Sequence, residues 1–298
     1  MNKLMPLKIK QLFSENPEIG RDELARKADI SNQLARYYVK LNKDIQRAST
    51  DGSIKRGVAL FDIHAPDHDK RSMSIVYQFL EDFKPHMFVL GGDQMHLDCI
   101  SHHNKGKLRL TENARLKRDY NKFQSEILDK FDNILSARCK KYFMIGNHEY
   151  WIERLIDDNP QLEGLVEIEN NLNLKDYELI PFNEVLTIGE VNFIHGFYTN
   201  KYFAEKNVRI YGKNIFCGHL HSNQVFTSVS PIDTLPKSGV GIGCLCNANP
   251  QYMYNKPNAW VHQFMFWYEF PDGSFTYYTP IIINGKCVIN NKVYIGKV

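Results

Sequence analysis

Apolar residues fall at two different spacings along the chain, and the change comes near residue 57. In the first fifty residues they recur at helical intervals: Leu7, Ile9, Leu12 and Phe13, then Leu24, Ala25 and Ala28, then Leu34, Ala35, Tyr38 and Leu41. The pattern predicts a first helix stopping near Asn16-Pro17, since the residue before proline avoids helical backbone. A short second helix follows over Arg21 to Ala28, and a third, capped by Ser31, runs to about Lys43. From Gly57 onward, short continuous apolar runs take over: VALF (58–61), FVLGG (88–92), YFMIG (142–146), VNFI (191–194) and NIFCG (214–218). Helix-like segments lie between them at 69–83, 107–137 and 150–157. Such runs alternating with helices predict buried strands of an α/β sheet. From Trp260 the chain alternates bulky residues up to Asp272-Gly273, a hairpin signal, and Asn284-Gly285 and Asn290-Asn291 predict further turns. The expected plan is a small all-α domain over 1–50 and a larger α/β domain over 51–298. Ala48 to Ser53 reads as the linker.

The second and third helices, with Leu24, Ala25, Ala28, Ile30, Ala35 and Tyr38 inside, fit a helix-turn-helix. Asp29 stands where the turn usually has glycine, and aspartate tolerates left-handed backbone better than most residues. If this unit meets DNA, Ser31, Asn32, Gln33 and Arg36 face the groove and Lys40 and Lys43 lie near phosphates. The alternative is a helical cap that packs on the main domain or mediates a homodimer. Charge adds to the first reading. Residues 1–57 carry 12 Lys/Arg and 7 Asp/Glu, a net +5, against 25 and 27 in the remainder. A second basic stretch, 101–123, holds seven Lys/Arg. Both favour polyanions, although a solvated helix face has the same composition.

Composition excludes two other classes. With 43% hydrophobic residues in 298 the chain can build a sizeable core, so it is not a disordered protein. No stretch approaches the roughly 20 apolar residues of a membrane helix, and MNKLMPLKIK runs straight into charge instead of an apolar leader, so a cytoplasmic setting without a membrane is expected. The six cysteines form no CxxC pair and are expected to be buried free thiols.

The chemistry sits where the apolar runs stop. They end at Asp62 and His64, at Asp93, at Asn147 and His148, at His195, and at His219 and His221. In open α/β sheets functional groups collect past the carboxyl ends of strands. This ordered set, Asp62-x-His64, Gly92-Asp93, Gly146-Asn147-His148-Glu149, His195 and Gly218-His219-x-His221, resembles the calcineurin-like metallophosphoesterase superfamily over roughly residues 57–222. The resemblance implies a two-sheet β sandwich flanked by helices, with a dinuclear metal centre at the strand ends. Asp62, His64, Asp93 and His221 would hold one metal. Asp93 would bridge to the second, which Asn147, His195 and His219 complete. His148 would face the phosphate as general acid or charge stabiliser, a task suited to an imidazole with a pKa near 6.5. Glu149 would support a ligand or form a surface ion pair. Mixed imidazole and carboxylate donors suit two divalent ions such as Mn²⁺, with Fe²⁺ or Zn²⁺ as alternatives. Such a pair can activate water and clamp phosphoryl oxygens.

The fifth position of the Gly92-Asp93-Gln94-Met95-His96 block is histidine, as in SbcD-type DNA repair nucleases of that superfamily. By that resemblance His96 supports His148 and the substrate phosphate, and DNA is the expected substrate. The nucleases' capping and ATPase-binding segments have no counterpart here, so a dedicated ATPase partner is not expected. His102 and His103 read as surface residues near the site mouth. The competing readings are a small-molecule nucleotide or cyclic-nucleotide phosphoesterase whose head serves dimerisation, and a non-enzymatic DNA-binding regulator. The intact ligand set argues against the regulator.

Overall fold

The structure, a computed structural model, describes residues 5–51, 54–107, 111–232 and 235–297. It opens with three helices: α1 (Leu7–Glu15), α2 (Arg21–Ala28) and α3 (Asn32–Asp51). Asp29 ends α2 in the left-handed region, at φ 56°, with its amide bonded to the Ala25 carbonyl. Ser31 Oγ accepts from the Leu34 amide at 3.2 Å and starts α3. Ile9, Phe13, Ile19, Leu24, Ala28, Ala35 and Tyr38 form a small core of their own. The structure corrects the expected linker. The third helix does not stop near Lys43 but continues through Asp51, because no helix breaker precedes Gly52. Gly52 and Ser53 lie outside the described residues.

The body contains β1 (Lys55–Leu60), α4 (Lys70–Phe83), β2 (Met87–Leu90), α5 (Leu116–Phe123), α6 (Asp129–Ile134), β3 (Lys140–Met144), α7 (Asn147–Asp158), β4 (Tyr177–Ile180), β5 (Leu186–Ile188), β6 (Val191–Ile194), α8 (Phe203–Tyr211), β7 (Ile215–Cys217), β8 (Gln224–Ser228), β9 (Lys237–Gly241), β10 (Met265–Glu269), β11 (Phe275–Tyr278), β12 (Lys286–Ile289) and β13 (Lys292–Ile295). One sheet has the order β11-β10-β1-β2-β3-β4 and the other β5-β6-β7-β9-β8, with β12-β13 a separate hairpin. β1 to β4 are parallel, as are β6, β7 and β9. All five apolar runs singled out in the sequence are therefore parallel strands, three in one sheet and two in the other.

Burial explains their composition. Along β1 and the residue after it, Ala59 and Phe61 enter a core shared with Phe193, Phe216 and Val240 of the second sheet and with Trp267. Val58 and Leu60 point the other way, into a core with Phe79 of α4 and Phe131 of α6. A strand buried on both faces reads as continuously apolar. On the outside of the second sheet, Phe203 of α8 packs on Ile194, Ile215 and Cys217. The layers are helices, sheet, sheet, helix. That is the two-sheet, helix-flanked α/β sandwich the resemblance implied.

The expected helix over 107–137 is shorter than the pattern indicated. It begins at Leu116, and one π turn (Gln124–Leu128) joins α5 to α6. Lys105, Lys107, Arg115, Lys117 and Arg118 of the basic stretch are exposed. All six cysteines are free thiols, five buried and Cys99 half-buried. Among the described residues no helix is long and apolar enough to cross a membrane.

Trp267 is fully buried, and its indole lies so close to Gly57 that a Cβ there would overlap the ring. Trp267→Ala removes the largest side chain of the inter-sheet core. It should lower the unfolding free energy by about 3–5 kcal/mol in a urea titration.

Candidate metal centre

The chain turns sharply as it leaves the strands. Asp62 (φ 53°), His64 (49°), Asp93 (53°), His219 (72°) and His221 (55°) all hold left-handed backbone. Each such non-glycine residue costs on the order of 1–3 kcal/mol and persists where the surroundings over-determine it. Here the loops are laced together. The Asp62 amide donates to the Gly92 carbonyl at 3.1 Å, His64 to Asp93 at 3.0 Å, and Gly218 to His195 at 2.9 Å.

Two groups of donors result. In the first, His221 Nε2 lies 3.1 Å from Asp62 Oδ1 and 3.1 Å from His64 Nε2, and His64 Nε2 is 3.7 Å from Asp62 Oδ1. In the second, Asp93, His195 and His219 bring ligand atoms within 4.8 Å of one another, and His195 Nε2 is 3.0 Å from Asn147 Oδ1. Asp93 stands between the groups: its Oδ2 is 3.2 Å from His195 Nε2 and 3.8 Å from His64 Nε2. All seven residues named as ligands from the sequence converge here.

Both carboxylates are oriented by backbone amides from the opposite loop. Asp93 Oδ1 accepts from the His148 amide at 2.9 Å, in the first turn of α7, and Asp62 Oδ2 accepts from the His219 amide at 2.8 Å. One oxygen of each is thereby fixed and the other faces the centre, the arrangement that aims a ligand. Glu149 holds the frame. It is 1% exposed, which excludes a surface ion pair, and its carboxylate accepts from the amides of Asp93, Met95 and Gly146 at 2.9, 2.9 and 3.0 Å. Gly146 and Gly218 allow the close approach. A Cβ on the first would overlap the Asp93 amide and Oδ1, and one on the second would overlap Asp62 Oδ2.

The electrostatics fit a cation pair. Burial alone would raise Asp93, but the imidazoles of His195, His148 and His64 hold it well below the usual carboxylate range. Burial opposes a proton on His195, yet Asp93, Asp62 and Glu149 push it up to about 10. Burial likewise opposes one on His221, and Asp62 raises it. Two carboxylates this deep need positive charge beside them. Divalent cations would supply it in place of protons, and the oxygen and imidazole donors suit first-row ions.

His148 sits at the edge of this group. Its Nδ1–H donates to the His96 carbonyl at 2.6 Å, leaving Nε2 3.9 Å from Asp93 Oδ2. Burial pushes it down to about 3, not the 6.5 expected of an ordinary imidazole, so it is neutral at neutral pH. His96 Nδ1 lies 3.5 Å from His64 Nδ1. His102 is exposed, as expected, and packs near Trp151 with ring centroids 6.1 Å apart; the side chain of His103 lies outside the description. Asn32, Gln33, Arg36 and Lys40 stand exposed on α3, within the head.

Several neighbours were not singled out in the sequence. Trp151 lies against His148, with centroids 4.0 Å apart, and Trp260 against His221 at 4.3 Å. Cys246 Sγ is 3.7 Å from His221 Nδ1 and belongs, with Cys244, to a buried Cys-x-Cys pair just past β9. The Cys-x-Cys spacing at 244–246 is the one sequence signal for this pair.

No protein-family model and no curated protein matches the chain. Similar solved structures include zinc-bound Vps29 from Entamoeba histolytica, 12% identical with a TM-score of 0.42, the match covering 78% of this chain and 96% of that one. Vps29 from Cryptosporidium parvum is 16% identical at 0.45, covering 81% and 98%. The nuclease MPE of Pseudomonas putida is 11% identical at 0.32, covering 70% and 83%. Likeness of this degree carries nothing about activity, and the site stands on its own geometry.

Glu149→Ala would strand three buried amides at once. With about 1–3 kcal/mol for each buried donor left unmet, the variant should lose about 3 kcal/mol or more in a urea titration. It should also bind less metal by elemental analysis, since the Asp93 loop keeps only the His148 amide as its tie to α7.

Proposed function

We propose that this chain is a dinuclear-metal phosphodiesterase whose substrate is DNA. The observation that carries the reading is Asp93 Oδ2, set between His195 and His64 so that one carboxylate serves both donor groups. Asp62, His64, Asp93 and His221 would hold one ion, and Asp93, Asn147, His195 and His219 the other, with Mn²⁺ favoured. When bound, such a pair polarises a phosphoryl oxygen and makes water nucleophilic near neutral pH. The chain's own residues do the rest. Asp62, pinned by the His219 amide, would hold the first ion, and Asp93, pinned by the His148 amide, would serve both. His148, its Nδ1–H committed to the His96 carbonyl, turns Nε2 toward the centre. A buried neutral imidazole gains proton affinity when a phosphate anion arrives, so Nε2 can then carry a proton to the leaving oxygen.

DNA as substrate rests on softer support. Histidine at position 96, the exposed cations between Lys105 and Arg118, and the two head helices joined by a short turn at Asp29 favour a phosphate backbone. In the head, Asn32, Gln33 and Arg36 would meet base edges and Lys40 a phosphate.

End-labelled single- and double-stranded DNA, incubated with Mn²⁺ or with EDTA, tests the reading. Cleavage should require the metal and be absent in Asp93→Asn, which should also bind less metal. Intact DNA together with hydrolysis of a simple phosphodiester would move the substrate to small nucleotides; full activity in Asp93→Asn would sink the dinuclear centre.

His148→Ala should keep both ions and slow turnover by roughly 10²–10⁴-fold. A fall in metal content in that variant would make His148 a ligand instead.

A further inference from the structure

We infer that Asp67, His96 and Asp98 form a third divalent-cation site, beside the pair and separate from it. His96 is 5% exposed, and its buried Nε2 has no hydrogen-bond partner. Asp98 Oδ1 lies only 3.1 Å from that nitrogen, within reach but off the direction an N–H would need. When His96 carries a proton the two groups pair as ions, and around a metal the same two atoms would be adjacent ligands. Metal–ligand bonds of about 2.1 Å at right angles place adjacent donors about 3 Å apart. A carboxylate oxygen of Asp67 completes the set, all three ligand atoms lying within 4.8 Å of one another.

The surroundings hold these donors in place, and the nearest cationic group is the imidazole of His96 itself. Asn104 Nδ2 donates to Asp98 Oδ1 at 2.6 Å. The Tyr252 ring stacks on His96, with centroids 5.3 Å apart and planes at 21°. The Asp67 amide donates to the His64 carbonyl at 2.8 Å, and the His96 amide to the Ala65 carbonyl at 2.9 Å, so both donor loops are tied to the first triad. Among the described residues no lysine or arginine forms an ion pair with Asp67 or Asp98. Two carboxylates and one imidazole suit a first-row divalent ion, with water in the remaining positions. His96 turns its other nitrogen toward His64, so its ring separates this ion from the pair.

Equilibrium dialysis of the full chain against rising Mn²⁺ should give three ions per chain, two tight and one weaker. The weaker ion should add a six-line electron paramagnetic resonance signal, distinct from the broadened spectrum of a coupled pair. Asp98→Asn, and separately Asp67→Asn, should each remove one ion and that signal while leaving the melting temperature in metal-free buffer unchanged. A count that falls in Asp93→Asn but in neither of these variants would overturn the third site and leave the pair standing. A count that falls in them but not in Asp93→Asn would support the third site and overturn the pair.

Discussion

One carboxylate organises the molecule. Asp93 is almost wholly buried, one oxygen held by the first turn of α7 and the other shared between imidazoles carried by different sheets. A buried carboxylate is tolerable only where hydrogen bonds and positive charge surround it. That requirement reaches far from the site. β1 and β2 must end level with β3 in one sheet, and β6 and β7 must end opposite them in the other, or the charge has no partners. The inter-sheet core of Phe61, Phe193, Phe216 and Trp267 fixes that alignment, because close-packed rings do not slide by a residue without opening voids.

Strain follows from the same demand. Five donors sit in left-handed backbone, a conformation asparagine or glycine would adopt more readily. None of the five is free to be either, since glycine has no donor and asparagine lacks both the carboxylate charge and the imidazole these positions bring to the centre. Stability must therefore come from elsewhere, and Glu149 shows how. Its single carboxylate caps α7 and satisfies the amides of Asp93 and Met95, so the strained loop and the helix support each other. The cost appears in Glu149 itself: burial and the nearby Asp93 push its pKa up to about 7.

The runs ending in ligands were legible because two constraints meet there. A strand buried on both faces must be apolar, and a polar residue at its end must have a use. Val191 to Ile194 shows this with the predicted and observed bounds identical. β8 and β9 left no such mark: QVFTS is half-exposed and KSGVG carries glycines, which adjoin Phe203 and Ala204 of α8. The prolonged third helix was hidden by composition, as Ala-Ser-Thr reads like a linker until tertiary structure decides. The seven proposed ligands could be named from the sequence because the polar residues closing these apolar runs, taken in order, resemble a known metallophosphoesterase pattern. Asp67, Asp98 and Cys246 could not, since only the fold brings them beside His96 and His221.

His96 shows why one position can matter more than its neighbours. Its carbonyl accepts from His148 Nδ1, which settles the tautomer of the imidazole nearest the expected phosphate. Its ring lies between His64 and the carboxylates of Asp67 and Asp98. Burial opposes a charge on that ring, but Asp98 and Asp67 raise its pKa, while the ring in turn disfavours a proton on His148. The charge state beside Asp98 is thus coupled to the one facing the centre. An acid at position 96 would reverse the sign of that coupling. It would favour a proton on His148 before substrate arrives and leave a third carboxylate beside Asp67 and Asp98 without an imidazole between them.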